Sequence, residues 1–197
     1  MRIIAGDMRS RKLKAPEGMD TRPTADRVKE ALFSILQGRL YGARVLDLYA
    51  GSGALALEAL SRGAESAVLV DCASKACQAI SENIAALGCE GRAQLLRMKD
   101  TAALASLEAR GDAFDLIFLD PPYRMDTAPV CRALLKSGLL RPGGMIVIEH
   151  GRETPPRIDA PLAMTDHREY GAAGLGFYQL MEVLPIESIP LPVSGQL

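Results

Sequence analysis

Tryptophan is absent from this chain of 197 residues, and aromatic residues of any kind make up only 5% of it. Histidine occurs twice, at His150 and His167, and cysteine four times, at Cys72, Cys77, Cys89 and Cys131, with no Cys-x-x-Cys pair. That leaves a zinc site without its ligand spacing and a disulfide framework without its density, so we expect no metal and reduced thiols. No apolar run approaches the roughly 18 residues that a membrane-spanning helix needs. Met1 to Asp7 lacks the apolar stretch of a signal peptide. The expected location is the cytoplasm, and the expected state a monomer.

Excess charge also looks absent, since the formal net charge is −1. The balance hides an asymmetry. Residues 1–44 hold ten Lys or Arg against five acids, and residues 45–197 hold thirteen against nineteen. A basic head on an acidic body suits a polyanionic partner held by the head, although a solvated basic hairpin would leave the same trace.

Hydrophobic residues make up 48% and charged residues 24%, as in an ordinary globular domain. Ile3 and Ile4, the Gly6-Asp7 turn signal and the basic run Arg11 to Lys14 predict a short hairpin ending at Pro16. Thr24 can cap a helix whose apolar face comprises Val28, Ala31, Leu32, Ile35, Leu36 and Leu40, with Arg27, Lys29, Glu30 and Ser34 off that face. Strand-like runs then follow at 45–49, 67–70, 93–98, 114–119 and 145–149. Helices are expected between them at 54–61, 74–87, 101–109 and 128–137, with a turn at Arg141-Pro-Gly-Gly144. This alternation predicts a doubly wound, mostly parallel sheet with helices on both faces. Its ligands would sit at the carboxyl ends of the strands. Past Pro161, Met164–Tyr170 and Phe177–Val183 flank a glycine-rich connection, Gly171–Gly176, and predict a closing hairpin.

Three constellations carry chemistry. Asp47-Leu-Tyr-Ala50-Gly51-Ser52-Gly53 lies where the first strand turns into a helix. Glycines there let backbone approach a ligand, and the helix start offers unpaired N–H groups. A tight strand–helix turn with no ligand would need the same residues. Asp47 would repel a pyrophosphate and attract a cationic group. S-adenosylmethionine has an ammonium, a sulfonium and no phosphate. Asp71, after the second strand, suits a ribose diol. Asp100, after the third, suits an adenine amino group or, equally, a helix cap.

The second constellation, Asp120-Pro121-Pro122-Tyr123, follows the fourth strand. The prolines fix the loop, so the Asp120 carboxylate and the Pro121 carbonyl become two acceptors aimed at one planar amino group. Tyr123 can stack on the base that carries it. Acceptors pulling on both amino hydrogens expose the nitrogen lone pair, an effect strongest in the transition state. In the third, Arg22-Pro-Thr24-Ala-Asp-Arg27, Arg22 and Arg27 would grip phosphates together with Arg9, Arg11 and Lys12. A capped helix start with solvated arginines would look the same.

With these residues in view, the chain resembles the bacterial 16S ribosomal RNA guanine-N2 methyltransferases of the RsmD type. The resemblance runs from Arg2 to about Val183. Arg2-Ile-Ile-Ala-Gly6, Arg11-Lys-Leu13 and Arg22-Pro-Thr24-Ala-Asp-Arg27 through Leu36 are distinctive, whereas the Asp47 and Asp120 motifs are shared with many amino-methyltransferases. The resemblance implies a Rossmann-like α/β methyltransferase fold with a seven-stranded sheet and a small N-terminal hairpin and helix extension. It also implies methylation of one guanine N2 in the assembled or partly assembled small subunit. It places catalysis on Asp120, Pro121 and Tyr123. Cofactor binding falls on Asp47, Ala50, Gly51, Ser52, Gly53, Asp71, Lys99 and Asp100, and RNA binding on Arg9, Arg11, Lys12, Arg22, Thr24 and Arg27. Two departures stand out: Asp71 where Glu is commoner, and a tail after Val183 with no counterpart. The expected organisation is a basic extension over residues 1–23, a methyltransferase domain over 24–184 and a tail over 185–197. Within the domain we expect a leading helix at 24–40, a core at 44–150 and a closing hairpin at 162–183. An N6-adenine DNA methyltransferase, a nicotinamide-dependent oxidoreductase and a non-catalytic RNA-binding module are the competing readings.

Overall fold

The structure is a computed structural model. It describes residues 1–17, 23–122, 125–153, 155, 156, 158 and 161–181, with the side chains of residues 23–26 left out. Seven strands form one sheet in the order β3-β2-β1-β4-β5-β7-β6. The strands are β1 (Arg44–Leu48), β2 (Ser66–Asp71), β3 (Ala93–Arg97), β4 (Phe114–Leu119), β5 (Leu140–Gly151), β6 (Leu162–Tyr170) and β7 (Ala173–Leu180). The first five pair in parallel, and β7 runs antiparallel to both β5 and β6. Apolar runs such as Val45-Leu46 and Leu116–Leu119 fit strands covered on both faces.

Strand alternation divides the core in two. Val45, Ala67, Leu69, Leu116, Phe118 and Val147 pack with the N-terminal segment and with α1 (Pro23–Ile35), α2 (Ala54–Ser61) and α3 (Ser74–Leu87). Leu46, Leu48, Val70, Ile117, Ile146 and Ile148 pack on the opposite face with α4 (Asp100–Ala109) and α5 (Ala128–Lys136). The crossover helices thus cover both faces, and the sheet switches direction of growth between β1 and β4. That switch point opens a crevice at the strand ends.

Several local expectations change. The leading helix stops at Ile35 and gives way to a 3-10 turn, Gln37–Arg39. Ile35 is exposed, whereas Phe33 and Lys29 are buried. Phe33 meets Phe118 with ring centroids 5.9 Å apart and carries the Arg62 guanidinium 5.0 Å from its own centroid. Lys29 is buried with its ammonium on the Arg2 carbonyl and near the Glu58 carboxylate. The Arg141–Gly144 turn is instead a bulge inside β5, whose register against β4 shifts between Phe114 and Leu116. The glycine-rich connection is mostly strand: β7 begins at Ala173, and Gly174 lies under the His150 ring, where a Cβ would come within 2.3 Å of Cε1.

The N-terminal segment makes one antiparallel bridge, Arg2 to Lys12, rather than a ladder. Its order comes from backbone bonds within the segment, Ile3 N–H to the Arg11 carbonyl at 2.9 Å and Leu13 N–H to the Met1 carbonyl at 3.1 Å, and from α2. The buried Glu58 carboxylate accepts the N–H groups of Ile4 (2.8 Å) and Ala5 (3.0 Å). It also pairs with Arg62 at 2.8 Å and Lys29 at 3.4 Å. The Ser61 hydroxyl accepts the Met8 N–H at 2.9 Å and donates to the Ala5 carbonyl at 2.6 Å. Gly6 lies so close that a Cβ would stand 1.8 Å from the Ser61 carbonyl oxygen.

Removing one partner of such a buried cluster leaves the other charge uncompensated. We expect Glu58→Ala to cost about 3–5 kcal/mol of unfolding free energy, measured by urea denaturation. A loss under about 1 kcal/mol would mean that Lys29 and Arg62 find water instead.

Candidate active site

The site lies at the carboxyl ends of β1, β2 and β4. After β1 the chain passes through Tyr49, Gly51 and Gly53, with φ of 64°, 58° and 75°. Glycine adopts this left-handed backbone at little cost, and Tyr49 is held there against its preference. Gly53 is the residue that opens α2, and its N–H donates to the Ala50 carbonyl at 2.6 Å. The turn is anchored to β2, because the Gly51 N–H donates to Asp71 Oδ2 at 2.9 Å. Asp71 Oδ1 accepts the Ala73 N–H at 2.9 Å. Each carboxylate oxygen keeps a second lone pair.

Asp47 sits beneath the turn, almost wholly buried. Its Oδ2 accepts the Ala56 N–H at 3.1 Å, which satisfies one orphan donor of the first turn of α2. Its Oδ1 has no partner. Burial chiefly, and then the charge of Asp71, push this carboxyl from 3.8 up to about 7, against the opposing pull of the Ala56 bond. A buried acceptor without a donor costs free energy unless a ligand supplies one. A cationic donor fits both the vacant lone pairs and the sign of the charge.

Asp120 follows β4 with its side chain open to solvent on one side. Burial by the surrounding protein, then the charges of Glu149 and Asp47, hold its carboxyl well above the ordinary aspartate range. The Pro122 carbonyl accepts the Met125 N–H at 2.8 Å. Among the described residues neither the Asp120 carboxylate nor the Pro121 carbonyl receives a hydrogen bond, so both acceptors are available.

Other expected residues stand differently. Asp100 begins α4, where its Oδ1 accepts the Thr101 N–H at 2.8 Å, and its Oδ2 accepts the Tyr49 hydroxyl at 2.6 Å. It is therefore partly a local cap and partly the anchor of Tyr49. The Ser52 hydroxyl faces the head and donates to Met1 Sδ at 3.2 Å. Ala50 is buried, with its N–H on the Val70 carbonyl at 3.0 Å. Lys99 is exposed at the cap position of α4. Arg9, Arg11, Lys12 and Arg27 are exposed. Arg11 also donates to the Ala86 carbonyl near the end of α3. Arg22, Tyr123 and the tail 185–197 lie outside the described residues, as does the Thr24 side chain.

Tyr49 and Glu149 escaped the sequence reading. Tyr49 is marked only by its strained φ. Glu149 lies one step past Ile148, which pairs with Leu119 in register and so brings it beside Asp120. An acid ending the fifth strand was the available signal.

The mouth thus gathers Asp47, Asp71, Asp120 and Glu149. Such a field favours a ligand with a positive tail and disfavours the phosphates of a dinucleotide. The sheet order and the glycine turn are those of the Rossmann-like fold of S-adenosylmethionine-dependent methyltransferases, and the strand-end acids fit that cofactor. Residues 1–179 match the family described as "Conserved hypothetical protein 95", and the chain belongs to that family, the RsmD family. It is 40% identical over 181 residues to a putative rRNA methyltransferase, YlbH, of Bacillus subtilis, covering 91% of this chain and 98% of that protein. It is 35% identical over 181 residues to ribosomal RNA small subunit methyltransferase D of Escherichia coli K12, covering 91% and 89%. The solved structure of the putative methyltransferase yhhF from Escherichia coli superposes with a TM-score of 0.78 at 34% identity, covering 91% and 97%.

Asp47 yields a pH test. An ammonium would be met by its ionised form, and its raised proton affinity means that folded stability falls as the pH climbs towards about 7. Calorimetric titration with S-adenosylhomocysteine should show affinity rising as the pH passes through about 7. Asp47→Asn should bind more weakly and lose that pH dependence. A variant that keeps the same pH profile would remove Asp47 as the ammonium partner.

Proposed function

We propose that the chain methylates the exocyclic N2 of a specific guanine in 16S ribosomal RNA of the assembled or partly assembled small ribosomal subunit. The observation that carries this reading is the pair of available acceptors, the Asp120 carboxylate and the Pro121 carbonyl, at the mouth of β4 next to the glycine turn of β1. It occurs in a chain 35% identical to ribosomal RNA small subunit methyltransferase D of Escherichia coli.

When bound, S-adenosylmethionine supplies an electrophilic methyl group on a sulfonium. Asp47 would accept from its ammonium, Asp71 from its ribose hydroxyls and Asp100 from its adenine amino group. Ala50, Gly51, Ser52 and Gly53 would line the turn beside it, and Lys99 would flank the base with Asp100. Asp120 and Pro121 would accept the two hydrogens of the guanine amino group, and Tyr123 would stack on the ring. Withdrawing those hydrogens frees a lone pair that is otherwise delocalised into the ring, and this aids transfer in the transition state. The raised proton affinity of Asp120 suits it to take the proton that turns acidic once the methyl has arrived. Residues 1–23 would form the RNA grip, with Arg9, Arg11, Lys12 and Arg22 on phosphates, joined there by Thr24 and Arg27 from the start of the leading helix. Residues 24–184 would form the catalytic domain.

Incubation with methyl-labelled S-adenosylmethionine and, separately, unmethylated small subunits, naked ribosomal RNA or duplex DNA tests the substrate. We expect label in N2-methylguanosine from subunits. Label in N6-methyladenine of DNA would overturn the substrate and leave the loop chemistry standing. Asp120→Ala should abolish transfer, by about a hundredfold or more, and keep S-adenosylhomocysteine binding. Loss of both would remove Asp120 from the amino group.

The grip has its own test. A double variant, Arg9→Ala with Lys12→Ala, should weaken subunit binding and reduce the slope of log affinity against log salt by about 1–2. An unchanged slope would leave these side chains as solvated surface.

A further inference from the structure

Asn83 lies in the middle of α3, 2% exposed, and has no part in the chemistry proposed above. A side-chain amide carries two N–H donors and one carbonyl acceptor. At Asn83 all of these are engaged. Nδ2 donates to the Ser52 carbonyl at 2.9 Å, inside the glycine turn. It also donates to the Lys14 carbonyl at 2.9 Å, and Oδ1 accepts the Lys14 N–H at 2.8 Å. One planar group therefore joins the turn that faces the cofactor to the segment that carries Arg9, Arg11 and Lys12.

The remaining ties lead to the same place. Met1 accepts the Ser52 hydroxyl. Glu58 and Ser61, which hold Ile4, Ala5 and Met8, lie on α2, the helix that the turn itself opens. A rotation of the Asn83 amide that follows a shift at Ser52 must break the paired bonds to Lys14. The turn is also the segment that a cofactor would order, since it stands over the partnerless Oδ1 of Asp47. A ligand that holds the turn spares a second ligand the cost of ordering the head, which makes the coupling positive.

We propose that Asn83 is a positioning residue that couples cofactor binding at the glycine turn to the grip of the N-terminal head on RNA, so that each ligand tightens the other. The RNA half rests on the function proposed above, whereas the coupling of turn to head does not. Because binding coupling is reciprocal, it can be read from either side.

The affinity of unmethylated small subunits is measured with and without saturating S-adenosylhomocysteine. In the wild type the cofactor product should tighten subunit binding by about fivefold or more. Asn83→Ala should bring that ratio close to one and raise KM for subunits while kcat is kept. A residue that merely supports the fold would lower kcat or stability and leave the ratio unchanged. A wild-type ratio of one overturns the proposal, and so does a ratio that survives in Asn83→Ala. Asn83→Asp, which keeps an acceptor for the Lys14 N–H and loses both donations, should fall between the two.

A second measurement needs neither RNA nor a variant. Amide hydrogen exchange at Lys14 in the wild type should slow on adding S-adenosylhomocysteine, by more than at amides in β6. Equal slowing at both places overturns the coupling even if Asn83→Ala fails to fold. Subunits that do not bind the wild type at all would instead count against the proposed function, and the exchange result would still decide the role of Asn83.

Discussion

The turn from Tyr49 to Gly53 is the constraint on which the rest of the molecule depends. Three left-handed residues within five positions bring β1 round into α2 so sharply that Asp47, still in the strand, reaches the third N–H of the helix. Asp71 reaches across from β2 to hold the Gly51 N–H. Asn83 reaches up from α3 to hold the Ser52 carbonyl. The turn is thus a junction of two strands and two helices, and its geometry is determined by groups that lie far apart along the chain. A side chain on Gly53 would also meet Leu69 Cδ2 at 2.7 Å, so core packing and turn geometry impose the same residue.

The electrostatics of the site follow from that geometry. Parallel strands end side by side, so an acid at the end of each becomes a neighbour of the others. Asp47 feels Asp71, and Asp120 feels both Glu149 and Asp47. Like charges at short range raise one another's proton affinity, and desolvation adds to the effect. The result is a mouth that costs free energy when empty and gains it with a cationic ligand. The basic head carries the opposite charge and is tied to the same glycine turn, and it has little regular structure of its own. It is held by Glu58, Ser61 and Asn83, through bonds to its backbone rather than to its charged side chains. Arg9 and Lys12 are thereby left at the surface, on a base tied to α2 and α3.

Much of this was legible in the residues. The alternation of apolar runs and helical periods from Arg44 onward states a parallel α/β sheet, because each period follows from a backbone repeat that is local. Asp47-Leu-Tyr-Ala-Gly-Ser-Gly53 and Asp120-Pro-Pro122 are contiguous, and their chemistry is carried by neighbouring atoms. Most of what failed to show was a matter of partners distant in sequence. Lys29 looks like a solvent residue on any helical wheel and is buried with its ammonium on the Arg2 carbonyl and near the Glu58 carboxylate. Ile35 fits the apolar face and is left exposed because the helix ends there. Gly174 reads as part of a loop and is strand, since the His150 ring fills the space where a side chain would go.

The sequence by itself determined the class of fold, the glycine turn, the acids at the strand ends and the acceptor loop after β4, since each depends on spacing within a few residues. Only the tertiary structure decided that Tyr49 spends its hydroxyl on Asp100, that Glu149 stands beside Asp120, and that Asn83 joins Lys14 to Ser52. The physical reason is the same in each case. Strand and helix periods are properties of the local backbone, whereas a hydrogen bond or a Coulomb contact depends on distance in space, which the chain sets only when the sheet has closed in its order and the helices have docked on it.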